Sequence, residues 1–500
     1  MLFNSIDFLM FFPVVALVYL VIPKKVRYLW LLAASYYFYM GWNAQYAVLI
    51  AVSTLITYAC GLALGALQKK EDPRTGLRRR LVVAAGVAGN LGILMFYKYF
   101  DFVLENINAL GGLFAWPEIS NRFDIILPVG ISFYTFQALG YVIDVYRGAV
   151  PAEKNPFRYA LFVSFFPQLV AGPIERSGNL LRQVKEVPLQ KLWDYSRIAK
   201  GLMVMLYGYL LKIVIADRVA IVVDQVFDHY LSYGTFELLL GAAGFSIQIY
   251  CDFASYSLIA TGAALVMGFT LMENFNAPYF AVSIRDFWSR WHISLSTWFR
   301  DYLYIPLGGN RKGTWKKYRN IMITFLLSGL WHGASWTYVV WGGLHGLYQI
   351  IGDMLAPLRR KAVERTGTKT DCESYRLTQI AWTFCLTTFA WIFFRAETIE
   401  DAFLFIRRIG TRWNPWVLFN GSLYELGISR QQANVLLVAL AVLLLADLIR
   451  ERKKQRIDEF LSAQNLWFRW LVLIFMLVLV IVYGAYGQVY DAKQFIYFQF

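Results

Sequence analysis

Long apolar stretches recur along the whole chain and are separated by short polar connections. A helix needs about 20 residues to cross roughly 30 Å of hydrocarbon. Stretches of that kind lie at 5–22, 28–44, 46–67, 81–100, 124–147, 157–175, 198–223, 236–271 (one segment or two), 321–352, 377–394, 433–449 and 466–488. The pattern predicts an all-α, polytopic integral membrane protein with about 11–12 membrane segments, some of them re-entrant or interfacial. No polar connection is long enough for a soluble domain, so residues 1–500 are predicted to form a single membrane domain.

Composition supports this prediction. Hydrophobic residues make up 58% of the chain and charged residues only 16%, whereas soluble proteins keep about a quarter of their residues charged. Disordered, collagen-like and small secreted folds are excluded, and the alternating strands of a membrane barrel do not match the pattern. Residues 2–22 lack a basic flank and a small-residue cleavage site, so they are expected to form a first span and not a removed signal peptide.

The net charge of +15 is explained first by topology, because cytoplasmic loops of membrane proteins collect Lys and Arg. Anionic lipid is then the main electrostatic partner, and nucleic acid is not expected. An anionic substrate remains as an alternative partner for some of the excess basic residues. The basic clusters at 24–27 and 69–80 follow the first and third spans, so both loops are predicted to be cytoplasmic and the N-terminus extracytoplasmic. Three later basic clusters are also assigned to the cytoplasmic side: 311–319, 359–376 and 450–456.

The four cysteines have no spacing typical of a metal site or a redox pair. At least three of them lie in apolar stretches, so all four are interpreted as ordinary buried thiols: Cys60, Cys251, Cys372 and Cys385. No metal site is predicted.

His332 lies in an uncharged run that is too long to cross the membrane as one straight helix. Residues 321–352 would extend roughly 48 Å as a helix, against about 30 Å of hydrocarbon. The run must bend, break or tilt, and Gly329 and Gly333 mark the expected place. His332 lies 13 residues after Arg319, which puts it roughly 20 Å from the basic edge. Ionisable groups at that depth usually line a cavity or pathway; the other interpretation is a neutral histidine hydrogen-bonded between helices.

His292 lies in an aromatic segment, 285–302, that is predicted to form an amphipathic helix at the membrane interface. On a helical projection, one face carries Trp288, Trp291, Leu295, Trp298 and Tyr302. A polar stripe beside that face carries Arg285, Ser289, His292, Ser296 and Arg300. His292 is therefore expected at the rim, where it either faces a water-filled entrance or is a solvated interfacial side chain.

The other two histidines are given structural interpretations. His345 has small neighbours at Gly342, Gly343 and Gly346, which suit close helix packing. His229 lies in a polar stretch and is expected in a loop.

Several motifs carry a family resemblance by their joint order and spacing. They are LPVGISFYTF at 127–136, YVIDVYR at 141–147, FPQLVAGPI at 166–174, MENFNAPY at 272–279, the segment 287–304 followed by GGNR at 308–311, WHGA at 331–334 and the terminal QFIYFQF at 494–500. With these motifs the sequence resembles the membrane-bound O-acyltransferase (MBOAT) family, in the bacterial branch that contains alginate O-acetylases and D-alanyl-lipoteichoic-acid transferases.

The resemblance implies a ring of transmembrane helices around a thinned centre with a funnel joining the two faces. His332 matches the family's near-invariant histidine, and His292 matches a second histidine of the bacterial branch. The implied reaction is transfer of an acetyl group from cytoplasmic acetyl-CoA, a substrate and not a tightly bound cofactor, to an extracytoplasmic hydroxyl. His332 is expected to act as the base, with His292 positioning the thioester or stabilising the oxyanion. A basic cluster is a weaker candidate for the CoA phosphates: Arg311, Lys312, Lys316, Lys317 and Arg319.

The implied acceptor is alginate or another cell-envelope polysaccharide, reached directly or through a secreted or periplasmic SGNH-type acetyltransferase. The implied location is the cytoplasmic (inner) membrane, in several passes. Three alternatives stay open: D-alanyl or other acyl transfer to teichoic acid or peptidoglycan, a non-catalytic carrier of an acyl donor or lipid-linked sugar, and a scaffold in a polysaccharide-export complex.

Overall fold

The computed structural model describes residues 1–69, 74–121, 123, 125–170, 172–189, 191, 193–486 and 495. These residues form helices joined by turns and loops, with no strand among them, which confirms the all-α prediction. Seven helices in the described ranges are long and apolar enough to cross a membrane: Tyr46–Leu67, Thr75–Gly112, Tyr195–Asp228, Thr235–Val266, Glu373–Arg395, Arg430–Lys453 and Leu466–Tyr483. Lys70, Ala171 and the terminal motif apart from Phe495 lie outside the described residues.

The chain forms two compact units. The first consists of residues 1–202 and 260–272, and the second of residues 203–259 and 273–500.

The first unit contains both long helices and short helical segments. Its α-helices are α1 Ile6–Val21, α2 Arg27–Met40, α3 Tyr46–Leu67, α4 Thr75–Leu94, α5 Phe100–Gly112, α6 Ile131–Arg147, α7 Pro156–Ser164, α8 Phe166–Leu169, α9 Arg182–Glu186 and the first half of α10 Tyr195–Tyr209. A π-helical turn, Met95–Tyr99, joins α4 to α5, and shorter turns lie at Lys24–Val26, Ser177–Leu181 and Val187–Leu189. The predicted segment 157–175 is broken at Phe165, between α7 and α8.

The second unit contains both candidate histidines. Its α-helices are the second half of α10, α11 Asp217–Asp228, most of α12 Thr235–Val266, α13 Ile284–Arg290, α14 Ile293–Phe299, α15 Thr314–His332, α16 Trp336–Thr366, α17 Glu373–Arg395, α18 Ile399–Thr411, α19 Arg430–Lys453, α20 Ile457–Ser462 and α21 Leu466–Tyr483. π-Helical turns lie at Leu210–Ala216 and Arg300–Tyr304, and 3₁₀ turns at Tyr230–Ser232, Pro278–Phe280, Pro415–Leu418 and Ser422–Glu425. The apolar stretch 236–271 contains one helix, α12, which ends at Val266.

The uncharged run breaks where its length and glycines predict. Helix α15 ends at His332, Gly333 is extended, and α16 starts after Ser335, whose hydroxyl accepts a hydrogen bond from the Thr337 N–H group at 3.3 Å. The two helices pack back against each other so closely that a Cβ atom at Gly329 or Gly342 would overlap the backbone of the partner helix. The glycines thus bring α15 and α16 together and hold His332 at the break.

The prediction of one continuous interfacial helix over 285–302 is wrong. Helix α13 ends at Arg290, and His292 adopts a left-handed conformation with φ of 41° before α14 begins. The break turns His292 away from the surface, and its side chain is fully buried. The expectation that His292 lies at a solvated rim is therefore also wrong.

The interpretation of all four cysteines as buried thiols holds only for Cys251. Cys60 and Cys372 are half-buried, and Cys385 is exposed on α17. For Cys60 and Cys385 the reason is that an apolar stretch in a membrane helix also has an outward face; Cys372 instead lies in a polar segment at the N-cap of α17.

Gly342→Ala is expected to destabilise the protein by about 1–3 kcal/mol, because the added methyl group would force α16 away from the Phe325 carbonyl of α15. Gly343→Ala is the matched control, since a Cβ atom there would lie 3.5 Å from the Leu326 side chain. Both changes gain the same helix propensity. Thermal unfolding in detergent, followed by tryptophan fluorescence, should show a lower midpoint for Gly342→Ala alone; equal midpoints would contradict the close contact.

Candidate functional site

His332 is the last residue of α15 and is 4% exposed. Its Nδ1 atom lies 2.6 Å from the carbonyl oxygen of Ser328, one helical turn earlier. A carbonyl can only accept, so Nδ1 carries the proton, and in the neutral ring the lone pair is on Nε2. The backbone of α15 therefore sets the tautomer and orientation of the imidazole.

Aromatic side chains surround the His332 ring on several sides. The ring centroids of Trp331 and Trp341 both lie 4.9 Å from that of His332, and the Phe394 centroid lies 5.7 Å away. Trp341 is fully buried. This shell surrounds the imidazole with a low local dielectric.

His292 reaches the same place from a different part of the chain. Its ring centroid lies 6.4 Å from that of His332, with the two planes at 78°. Phe253 of α12 packs edge-on against the His292 ring at 4.6 Å. The two predicted histidines are thus neighbours in one buried cluster, although their side chains come from helix ends 40 residues apart in sequence.

The left-handed turn at His292 is held by Asn274. The Asn274 carbonyl accepts from the Ile293 N–H group at 3.0 Å, and its side-chain oxygen accepts from the Ser294 hydroxyl at 2.6 Å. The amide nitrogen of Asn274 donates to the Ser257 hydroxyl of α12 at 2.9 Å. One buried side chain therefore ties the 273–276 segment, α12 and the start of α14 together around His292.

His345 and His229 occupy the structural positions expected of them. His345 is buried on α16, and its Nδ1 atom accepts from the indole N–H of Trp288 at 3.1 Å. His229 is exposed after α11 and its Nδ1 atom lies 3.2 Å from the Gln225 carbonyl oxygen.

A cavity with a volume of about 530 Å³ runs along one face of α15 towards His332. On α15 its lining residues recur at helical spacing: Lys317, Ile321, Thr324, Phe325 and Ser328. Ser328 is the residue whose carbonyl binds His332. Three cations, Arg285, Arg300 and Lys317, also line the cavity. We call it the α15 cavity.

The structure brings only one member of the predicted basic cluster to this cavity. Lys317 lines it and pairs with Asp353, which also binds Arg285 at 2.8 Å. The other four members are exposed and do not line it: Arg311, Lys312, Lys316 and Arg319.

Sequence reasoning missed three residues of this site. The sequence pattern placed Arg285 and Arg300 only in a polar stripe. Because that pattern was interpreted as one continuous helix, it did not show that both side chains line the same cavity. Asn274 lies in the MENFNAPY motif, which contributed to the family resemblance but indicated no structural role for Asn274. Among the described residues, no group of three or more His, Cys, Asp or Glu side chains is arranged to hold a metal ion.

A double-mutant cycle on Asn274 and Ser294 tests the clamp around His292. Asn274→Ala and Ser294→Ala should each cost about 1–3 kcal/mol, because each leaves buried polar groups without a hydrogen bond. If the 2.6 Å bond holds the turn, the double variant should cost measurably less than the sum of the two. Chemical or thermal unfolding in detergent gives the four free energies; strict additivity would show that the two side chains do not support each other.

The sequence matches the membrane-bound O-acyltransferase family over residues 151–396, a range that contains both candidate histidines. It is 41% identical to the probable alginate O-acetylase AlgI of Pseudomonas putida over 405 residues, covering 80% of this chain and 79% of that protein. It is 36% identical to the peptidoglycan O-acetyltransferase of Helicobacter pylori over 434 residues, covering 80% and 78%.

A more distant match is the teichoic acid D-alanyltransferase of Bacillus subtilis, 32% identical over 253 residues, which cover 46% of this chain and 62% of that protein. Together with the seven apolar helices, these matches confirm the resemblance read from the motifs. The chain belongs to the membrane-bound O-acyltransferase family and is a multi-pass membrane acyltransferase.

Proposed function

We propose that the protein transfers an acetyl group from cytoplasmic acetyl-CoA to a hydroxyl group of a cell-envelope polysaccharide, directly or through an extracytoplasmic SGNH-type acetyltransferase. The observation that carries this proposal is the pair of buried histidines beside a cavity whose lining includes Ser328, the carbonyl partner of His332, and three cations. The names of the relatives from Pseudomonas putida and Helicobacter pylori support acetyl as the acyl group and a cell-envelope glycan as the acceptor.

The α15 cavity suits the donor. Lys317 and Ser328 are 11 residues apart on one helix, which corresponds to roughly 16 Å along the axis. Arg285, Arg300 and Lys317 would contact the CoA phosphates, since cationic side chains are the usual partners of phosphate groups. The acyl-pantetheine arm would then lie along the mixed apolar and hydroxyl-bearing face of α15, with the thioester near His332. Acetyl-CoA is in this scheme a substrate, with no tightly bound cofactor.

His332 would act as the general base. The acceptor hydroxyl gives its proton to Nε2 of His332 while its oxygen attacks the thioester carbonyl. A new C–O ester bond forms, the C–S bond breaks, and the proton passes to the departing sulfur of CoA. The Ser328 carbonyl would stabilise the transient imidazolium through Nδ1–H, and His292 would position the thioester or stabilise the oxyanion.

The proposed orientation follows from charge. The basic segment before and at the start of α15, 311–319, would be cytoplasmic, so donor and α15 cavity would be on the cytoplasmic side of the inner membrane. The same rule would place the N-terminus outside the cell.

The base assignment predicts that His332→Gln lowers acetyl transfer by about 10²–10⁴-fold, because it removes a positioned general base. His229→Gln is the matched control, since that histidine is exposed on a loop. The measurement is transfer of labelled acetyl from acetyl-CoA to envelope glycan in membranes, together with CoA release by the purified protein. Full transfer by His332→Gln would remove His332 from the mechanism, and transport of donor without CoA release would favour a carrier.

His292→Asn separates the role of the imidazole from that of the turn. Asparagine tolerates a left-handed φ better than most residues, so the fold should persist while transfer falls. Wild-type turnover in this variant would reduce His292 to a structural residue.

The donor assignment predicts that Lys317→Ala and Arg300→Ala each raise the KM for acetyl-CoA by roughly tenfold, since a charge-assisted hydrogen bond contributes about 1.5–3 kcal/mol. Lys316→Ala is the control because Lys316 is exposed on the same turn of α15 and does not line the cavity. The increase should shrink with acetyl-dephospho-CoA as donor if the changed residue contacts the 3′-phosphate. An equal effect of all three changes would indicate general surface attraction and not a built site.

A further inference from the structure

Two cations and one carboxylate meet at the opening of the α15 cavity. Arg285 of α13 donates to one carboxylate oxygen of Asp353, on α16, at 2.8 Å. Lys317 of α15 donates to the other oxygen of the same carboxylate. A single acidic side chain therefore bridges two basic side chains that come from different helices. We call these three residues the rim bridge.

Helical spacing places the rim bridge at one end of the cavity. Asp353 follows Gln349 by four residues on α16, and Lys317 precedes Ile321 by four residues on α15. Residues four apart lie on the same face of a helix, and both Gln349 and Ile321 line the cavity. The lining residues of α15 run from Lys317 to Ser328, so the rim bridge lies at the end opposite to Ser328.

The two cations of the rim bridge face the cavity, whereas the carboxylate does not. Arg285 and Lys317 are lining residues and Asp353 is not. The carboxylate therefore holds both cations from outside the lining and does not occupy the space where an anionic ligand would lie. A guanidinium has five N–H donors and an ammonium group three, so each cation keeps donors beyond the one that it gives to Asp353.

Holding these cations in place has a consequence for binding. Long basic side chains lose rotamer freedom when they bind a ligand, which weakens affinity unless they are already ordered in the free protein. The Arg285 side chain is 67% exposed, so without Asp353 little else would order it. Charge alone predicts the opposite effect, because the Asp353 carboxylate reduces the positive charge available to an anion. The sign of the change in affinity on neutralising Asp353 therefore separates positioning from repulsion.

We propose that Asp353 is a positioning residue for the donor, which holds Arg285 and Lys317 side by side as a clamp for the phosphate groups of acetyl-CoA. This inference rests on the proposed acetyl transfer and adds the residue that orders its phosphate-binding cations. Asp353 lies 12 residues after Trp341, the α16 residue that packs against His332, which corresponds to roughly 18 Å along the helix. Its effect is therefore on donor affinity and not on the chemical step.

The test measures KM and kcat in membranes that contain the full-length protein and envelope glycan, with acetyl-CoA and the phosphate-free acetyl-pantetheine as donors. Asp353→Asn should raise the KM for acetyl-CoA roughly three- to tenfold, the usual cost of ordering one long side chain on binding, with kcat unchanged. The KM for acetyl-pantetheine should stay at its wild-type value, because this donor brings no phosphate to the clamp. Asp353→Glu keeps the carboxylate and should retain most of the affinity for acetyl-CoA.

Glu364→Gln is the matched control, because Glu364 is an exposed carboxylate on the same helix that does not line the cavity. Its KM for acetyl-CoA should equal that of the wild type. The fold should persist in Asp353→Asn, since the side chain is 21% exposed and both of its cationic partners have contact with water. The thermal unfolding midpoint in detergent checks this.

A variant without the two cations shows whether Asp353 acts through them. When Arg285→Ala and Lys317→Ala are already present, Asp353→Asn should change the KM for acetyl-CoA no further. A lower KM in Asp353→Asn, an equal rise with both donors, or a full effect without the two cations would overturn the positioning role while leaving acetyl transfer intact. Wild-type protein that transfers no acetyl group, or transfer that does not depend on His332, would instead contradict the proposed function itself.

Discussion

Both candidate histidines lie where a helix is interrupted, and the structure around them depends on satisfying the backbone groups that each interruption exposes. Unpaired N–H and C=O groups are costly away from water, so buried irregular backbone must be hydrogen-bonded within the protein. At His292 the Asn274 carbonyl accepts from Ile293, and the Arg290 carbonyl accepts from Asn276 at 2.9 Å. At His332 the Gly333 N–H group bonds back to Gly329 and the Ser335 side chain starts the next helix. Each interruption frees an imidazole from a helix face and points it into the same cluster.

The segment that carries His292 is anchored by ion pairs, one of which involves Arg290, two residues before the histidine. Glu451, at the end of α19, is 7% exposed and pairs with Arg290 and Arg376, while Arg450 and Arg456 both bind Glu273. Such pairs add little net stability, but removing one partner leaves a buried charge and is strongly destabilising. Their contribution is therefore to fix how α13, α17 and α19 meet.

The fold and half of the site could be predicted from the sequence because their causes are local. The length of the uncharged run at 321–352 and its glycines were enough to predict the break beside His332. The break at His292 was not predictable in this way: residues 285–302 contain no Gly or Pro, and the turn is held by Asn274, 18 positions upstream. The same limit applies to the α15 cavity, since Lys317 and Lys316 are adjacent in sequence and only helix packing decides which of them lines it.

The separation of the two imidazoles limits what His292 can do chemically. With ring centroids 6.4 Å apart, two imidazolium ions would repel each other by roughly 2–3 kcal/mol even at an effective dielectric constant of about 20. The aromatic shell lowers the dielectric and makes double protonation costlier still. In the proposed reaction, a proton taken from an acceptor by His332 would therefore leave His292 neutral. His292 would then donate one hydrogen bond to the developing oxyanion or hold the thioester, and it would not serve as a second cation.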